Sequence, residues 1–318
     1  MNPTQVRNQI VRVLYQAFFL SRERINLAGL LEQEGWERRS FENLLDRMEE
    51  GHLIEPMGMG GFYYQLTAAG VIYGERAGIV DEELAKTNER ARTQVLLALA
   101  EVYEEQGNLY MVQNSKLYQR TGLDEIQATA NLTVMLDLGF AESFGNAGSK
   151  ITSQGLDAVE QYKKKKAIAD EFEIVSAKDP HPRGRALQKL IAKLIESHGW
   201  GQDEGVRTSN EEMDIIVFRE REYYLLESKW EKDPIEAAAI RELFGKLGNR
   251  IDVRGIVASM SGFSEGSIKQ VHDYTGQRII LLFGPEDIRA MVYGEALFDD
   301  LLNAKYKELV TKRKVAFS

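Results

Sequence analysis

Apolar positions in the second half of the chain recur first with a helical period and then as short continuous runs. Leu187, Leu190, Ile191, Leu194 and Ile195 fall at i, i+3, i+4, i+7 and i+8, which predicts an amphipathic helix ending at Gly199. EMDIIVFRE and EYYLLESKW read as two strands joined by a tight turn. In DPIEAAAIRELFGKLG the expected helix has Asp233 as N-cap, Pro234 at its first position, Glu236 as the capping-box acid and Gly248 past its end. RGIVASM and RIILLFG are apolar strands separated by the helix SEGSIKQVHDYTG and followed by the helix PEDIRAMVYG. With a short strand near Val206, the order is α-β-β-β-α-β-α-β-α, a mixed sheet flanked by helices.

The first half contains an internal repeat. LLDRMEEGHLIEPMGMGGFYYQLTAAGVIYGE runs as helix, Gly, strand, Gly-rich turn, then Leu66-Thr67-x-x-Gly70 opening another helix. LTVMLDLGFAESFGNAGSKITSQGLDAVE repeats that order with Gly139, the turn GNAG and Ile151-Thr152-x-x-Gly155. Aligning Gly51 with Gly139 puts 16 residues before the Thr in one copy and 13 in the other, the difference falling in the turn. Helical sequence precedes each copy, and helix, helix, helix, hairpin, helix resembles a winged helix, twice over. The expected third helices are RRSFENLLDRMEE and LDEIQATANLTVML; the second has no basic residue.

Lys163 to Lys166 and the breaker DPHPRG separate the halves. The expected layout is therefore a winged-helix domain at 1–80, a second at 81–165, a linker at 166–183 and a further domain at 184–318. In class this is an α+β and α/β multidomain chain.

Charge divides along the same line. Residues 1–160 carry 14 Lys+Arg against 23 Asp+Glu, whereas 161–318 carry 26 of each. A nucleic-acid binder needs a basic face, so DNA contact is expected from the second half or from a local patch. Arg22, Arg24, Arg38 and Arg39 in the first copy, and Arg241 and Lys246 in the second half, are the candidates, each competing with a solvated or protein-facing role. The lack of cysteine excludes disulfides and thiolate zinc, and four scattered histidines have no ligand spacing. Any metal is expected to be hard and oxygen-bound. No apolar run approaches the ~18 residues of a membrane span, and the N-terminus MNPTQVRNQI lacks a secretory plan, so a cytoplasmic protein without membrane contact is expected.

LLESKW places charge inside an apolar strand. Alternation puts Glu227 and Lys229 on one face, Ser228 and Trp230 on the other. A turn centred between Glu220 and Arg221 sets Asp214 opposite Glu227. Two carboxylates and an ammonium then share one patch, where the acids could hold Mg²⁺ and the lysine could serve an attacking water or the phosphate. Glu212 shares that face as a possible auxiliary. His198 reads as a packed or capping histidine, and Ser259 and Ser261 as turn residues or phosphate contacts.

Asp214 followed by Glu227-Ser228-Lys229 at a strand end resembles the PD-(D/E)XK nuclease superfamily. KLIAKLIESHGW, GIVASMSGFSEGSIKQ and IILLFGPEDIRAMVYG extend the likeness to its Mrr-type restriction endonuclease branch, over roughly residues 184–310. The resemblance implies a restriction-endonuclease-like domain and a Mg²⁺-dependent DNA endonuclease, with Mn²⁺ as substitute, working in restriction or phage defence. Asp214 and Glu227 would be its metal ligands and Lys229 its catalytic lysine, with Gln188 on the first helix where the family often has an acid. That amide favours a one-metal site. The winged helices would choose or sense the substrate, or form a homodimer. The alternative is a non-catalytic nucleic-acid-binding or regulatory protein that retains a nuclease fold.

Overall fold

The structure is a computed structural model that describes residues 2–21, 24–58, 61–177, 180–204, 215–312 and 315. It divides into two compact units, Met1–Glu160 and Gln161–Ser318.

The first unit holds both copies of the repeat. Copy one comprises α1 (Pro3–Gln16), a π-helical turn at Ala17–Ser21, α2 (Leu27–Gln33), α3 (Arg38–Glu50), the hairpin β1 (Ile54–Pro56) and β2 (Tyr64–Leu66), and α4 (Ala68–Arg76). Copy two follows with α5 (Glu82–Gln106), α6 (Asn114–Thr121), α7 (Glu125–Asp137), β3 (Ala141–Ser143), β4 (Ser149–Ile151) and α8 (Ser153–Ser176). Each hairpin also receives an antiparallel bridge from the segment before the second helix, Asn26 to Tyr63 and Val112 to Ser149. Helix, helix, helix and hairpin is the winged-helix element order.

The Thr-x-x-Gly repeat makes one joint twice. Thr67 Oγ1 accepts from Gly70 N to cap α4 and donates to His52 O; Thr152 Oγ1 accepts from Gly155 N and donates to Gly139 O. The same threonines donate their N–H to Leu53 O and Phe140 O. A Cβ on Gly70 would lie 1.9 Å from Leu53 O, and one on Gly155 would lie 2.1 Å from Phe140 O, so the helix meets the preceding strand only through glycine. These contacts align His52, at φ 53°, with Gly139, at φ 74°. Gly51 therefore corresponds to Leu138, and aligning the two glycines is off by one residue.

One apolar core runs through both copies, from Val6 to Val159. A buried polar network lies within it. Arg92 on α5 makes paired bonds of 3.0 and 2.6 Å to Glu75 on α4, Tyr15 donates to Glu75 at 2.6 Å, and Asn88 donates to Tyr15. Burial, then the Glu75 bond, pushes the Tyr15 hydroxyl well above its usual pKa, so it stays a donor.

In the second unit α9 (Pro180–Ser197) precedes β5 (Gly201–Glu204), β6 (Ile215–Arg219) and β7 (Glu222–Lys229); then come α10 (Ala237–Gly248), β8 (Val253–Ser259), α11 (Glu265–Tyr274), β9 (Ile280–Phe283), α12 (Pro285–Val292) and α13 (Phe298–Lys312). The sheet order is β5-β6-β7-β8-β9, antiparallel across the first three strands and parallel from β7 to β9. The early strand starts at Gly201, and Val206 lies outside the described residues.

Two expectations are corrected. Residues 166–183 are not an extended linker, because α8 runs to Ser176 and α9 begins at Pro180. Beyond the lysine run, Ile168 and Phe172 enter the second unit's core, where Phe172 stacks on Trp230 at 5.8 Å, and Val175 is buried as well. Their i, i+4, i+7 spacing is the helical signal that DPHPRG obscured. Nor does α10 start at Pro234. Ile235 forms a parallel bridge to Phe263, its N–H donating to Gly262 O and its C=O accepting from Ser264 N, which holds the backbone extended until Ala237.

Two outcomes follow for stability. A fragment beginning at Gln161 should fold cooperatively in urea, whereas one beginning at Pro182 should be destabilised or insoluble, since losing one buried aromatic alone costs about 3–5 kcal/mol. Gly70→Ala and Gly155→Ala should each lower the unfolding midpoint of the intact protein by an equivalent of about 1–3 kcal/mol, read by urea titration.

Candidate active site

β7 sits between an antiparallel and a parallel neighbour. Arg219 pairs with Glu222 and Ile215 with Leu226, so Glu220, at φ 54°, and Arg221 form the two-residue turn. This is the turn centre on which Asp214 was set opposite Glu227. Asp214 itself, with Glu211 and Glu212, lies outside the described residues.

Glu227 and Lys229 face the same side as α10, as the alternation requires. Gly255 of β8, the Cα partner of Leu225, would point a Cβ at Leu243 and Leu247 of α10. Glu227 is 8% exposed. Its Oε1 accepts from Lys246 Nζ of α10 at 2.5 Å. Burial raises the Glu227 pKa above its usual value; Lys246, and more weakly Lys229, oppose that rise. Two ammoniums therefore act on one desolvated carboxylate at a strand end.

The opposite face is structural. Ser228 Oγ donates to Gly184 O of α9, and Trp230 stacks on Phe172. Gln188 of α9 donates through Nε2 to Leu226 O at 3.1 Å, where the described β6–β7 ladder ends. Its amide thus anchors the residue before Glu227. Glu196, the acid of the same helix, accepts from Gln202 Nε2 at 2.9 Å. Behind Lys229, Ser259 is fully buried and donates to Gly262 O, and Ser261 donates to Glu231 O. Both hydroxyls hold the turn beside the strand end. His198 accepts from Phe298 N through Nδ1 at 3.2 Å, and burial, then Lys165, lowers its pKa below 6.5.

Among the nucleic-acid candidates, Arg22 lies outside the described residues and Arg24 and Arg39 are exposed. Arg38 pairs with Glu42 at 2.9 Å and lies over the Phe62 ring. Arg241 reaches Gln270 at 3.3 Å. Lys246 is turned onto Glu227, a role the sequence reading did not assign; the available signal was its position next to Leu247 on the edge of the Ile240-Leu243-Leu247 stripe. In the first unit the C-terminal end of α3 borders a hollow of about 1450 Å³ lined by Asp46, Glu49, Glu50, Glu55 and Asp137. α7 packs against α5, α4 and the π-helical turn, which leaves no clear face for a groove.

Among the described residues, no group of three His, Cys, Asp or Glu side chains is gathered for a metal. The donor chemistry still fits Mg²⁺, which takes one or two carboxylates and completes its shell with water and phosphate. Glu227 is such a carboxylate, and its present ion-pair partner is Lys246.

Residues 182–291 match the Mrr_cat family model, described as a restriction endonuclease. That stretch of the second unit is thus similar to a restriction endonuclease domain, and Glu227, Lys229 and Lys246 lie inside the match. No curated protein matches the chain. Solved structures similar to it include the DNA modification-dependent restriction endonuclease AspBHI (11% identity, TM-score 0.31, 47% of this chain and 40% of that one). The MspJI restriction endonuclease with a 27-mer oligonucleotide is another, at 16% identity and TM-score 0.26, covering 48% of this chain and 36% of that one. Restriction endonuclease FokI bound to DNA is a third (10%, TM-score 0.32, 81% and 58%). The chain spans less than two thirds of each. Among the described residues, no helix is long and apolar enough to cross a membrane.

A neutral His198 makes a checkable contribution. Its pKa is lower folded than unfolded, so below pH about 6.5 the unfolded chain binds the extra proton and stability is lost as pH falls. The melting temperature of His198→Gln should therefore fall less between about pH 7 and about pH 5 than that of the wild type, measured by thermal denaturation.

Proposed function

We propose that the second unit is a metal-dependent endonuclease that hydrolyses DNA backbone phosphodiesters. The observation that carries this reading is Glu227, a buried carboxylate near the end of β7 with two ammoniums acting on it, within the span that matches the restriction endonuclease model. Asp214 and Glu227 would hold Mg²⁺, or Mn²⁺ in its place. The ion would supply Lewis-acid activation of water and phosphate. Lys229 orients the attacking water or offsets charge developing on the phosphate. Gln188 fixes the strand end and adds no charge, which favours one metal over two. The acidic winged-helix copies serve substrate sensing or homodimerisation, with any phosphate contact made through Arg24 before α2 and through Arg38 and Arg39 at the start of α3. Restriction or phage defence in the cytoplasm is the setting this chemistry suits.

Incubating purified protein with plasmid and Mg²⁺ or Mn²⁺, against EDTA, tests the reading. Asp214→Ala and Glu227→Ala should abolish cleavage while the fold persists by circular dichroism. Lys229→Met should retain Mn²⁺ binding yet lose about 10²-fold or more in rate, the scale of removing one electrostatic stabiliser. DNA binding without cleavage under every cation would favour the non-catalytic, regulatory alternative. Full activity in either carboxylate variant would sink the site.

A further inference from the structure

Lys246 is 15% exposed and lies between two carboxylates, 2.5 Å from Glu227 Oε1 and 3.6 Å from Glu242 Oε1. Glu227 is held in the sheet, whereas Glu242 stands one turn back on α10 and is 59% exposed. The near acid is thus desolvated and fixed, the far one wet and adjustable. Lysine is a point charge on a flexible four-carbon stem, able to pass between such seats without moving the backbone.

We infer that Lys246 is a positioning residue that occupies Glu227 until a divalent cation arrives and then moves to Glu242. This rests on the reading of Glu227 as a metal ligand. Without a cation, an unpaired carboxylate at this burial is costly, and Lys246 partners it at 2.5 Å and keeps it aimed. A divalent ion on Glu227 repels an ammonium beside it strongly in a low dielectric, and Glu242 gives the displaced charge a partner at i, i+4. The exchange subtracts from metal affinity, so Lys246 sets the cation concentration at which the site loads.

Mn²⁺ titrated into the full-length protein by calorimetry at about pH 8, without nucleic acid, reads this directly. Lys246→Met should bind Mn²⁺ about fivefold more tightly or better, and should melt below wild type in EDTA, with the gap closing as Mn²⁺ is added. Lys246→Arg, which keeps the pair, should stay near wild type. Glu242→Gln should bind more weakly, and the effect should vanish when Lys246 is already methionine, which a merely structural role would not produce. Should Lys246→Met fail to fold, Glu242→Gln and Lys246→Arg still decide. Affinity unchanged or weaker in Lys246→Met, or unchanged in Glu242→Gln, overturns the exchange while leaving the metal site standing. A wild-type protein that takes up no Mn²⁺ overturns both.

Discussion

Burying a carboxylate among strands costs several kcal/mol unless a cation meets it, and in the second unit that demand falls on Glu227. Its backbone is paired to Val257 of β8 and its side chain is buried, so the carboxylate meets little water to relieve the cost. The surroundings answer instead. α10 lays Leu243 and Leu247 against Gly255, and that close approach brings Lys246 within reach of Glu227. On the other face Gln188, Ser228 and Trp230 tie β7 to α8 and α9. One side of the strand is fastened so that the other can hold charge in place.

The first unit solves a different problem. Its copies repeat a Thr-capped helix start pressed on the preceding carbonyl, yet they do not expose equivalent surfaces. α7 is enclosed, with Asn131 fully buried among its apolar neighbours, and Asp137 accepts from Ala68 N at the start of α4. α3 remains at the surface, but its C-terminal end carries Asp46, Glu49 and Glu50 beside the acidic hollow. Arg38 and Arg39 lie at the opposite, N-terminal end of the helix. The duplication thus yields one helix left largely at the surface and one mostly buried.

Much of this was legible in the residues. The 3.6-residue period of Leu187 to Ile195, the β-branched runs and the two Thr-x-x-Gly steps are local signals, and local signals survive folding. The hairpin centre at Glu220-Arg221 was legible because alternation and one short turn leave few registers. What failed was decided at a distance. Ile235 is drawn into a bridge with Phe263, overriding a strong capping pattern, and α8 runs on to bring Phe172 onto Trp230, a residue distant in sequence. The alignment of the repeats slipped by one because His52 takes the left-handed conformation that Gly139 takes in the second copy.

Lys246 illustrates the deeper limit. As a letter in ELFGKLG it reads as a solvated lysine, since a charged residue at the edge of an apolar stripe is ordinarily one that snorkels to water. Its role depends on the crossing of α10 over β7, which no local pattern encodes, and on the burial of a glutamate 19 residues earlier. The E-x-K spacing locates charge on a strand, but the balance of that charge is a tertiary property. For a carboxylate near a strand end with one lysine two residues on and another on the next helix, the effect of burial is opposed from two directions. Such a group is already arranged for a cation, because the work of desolvating it was done when the sheet formed.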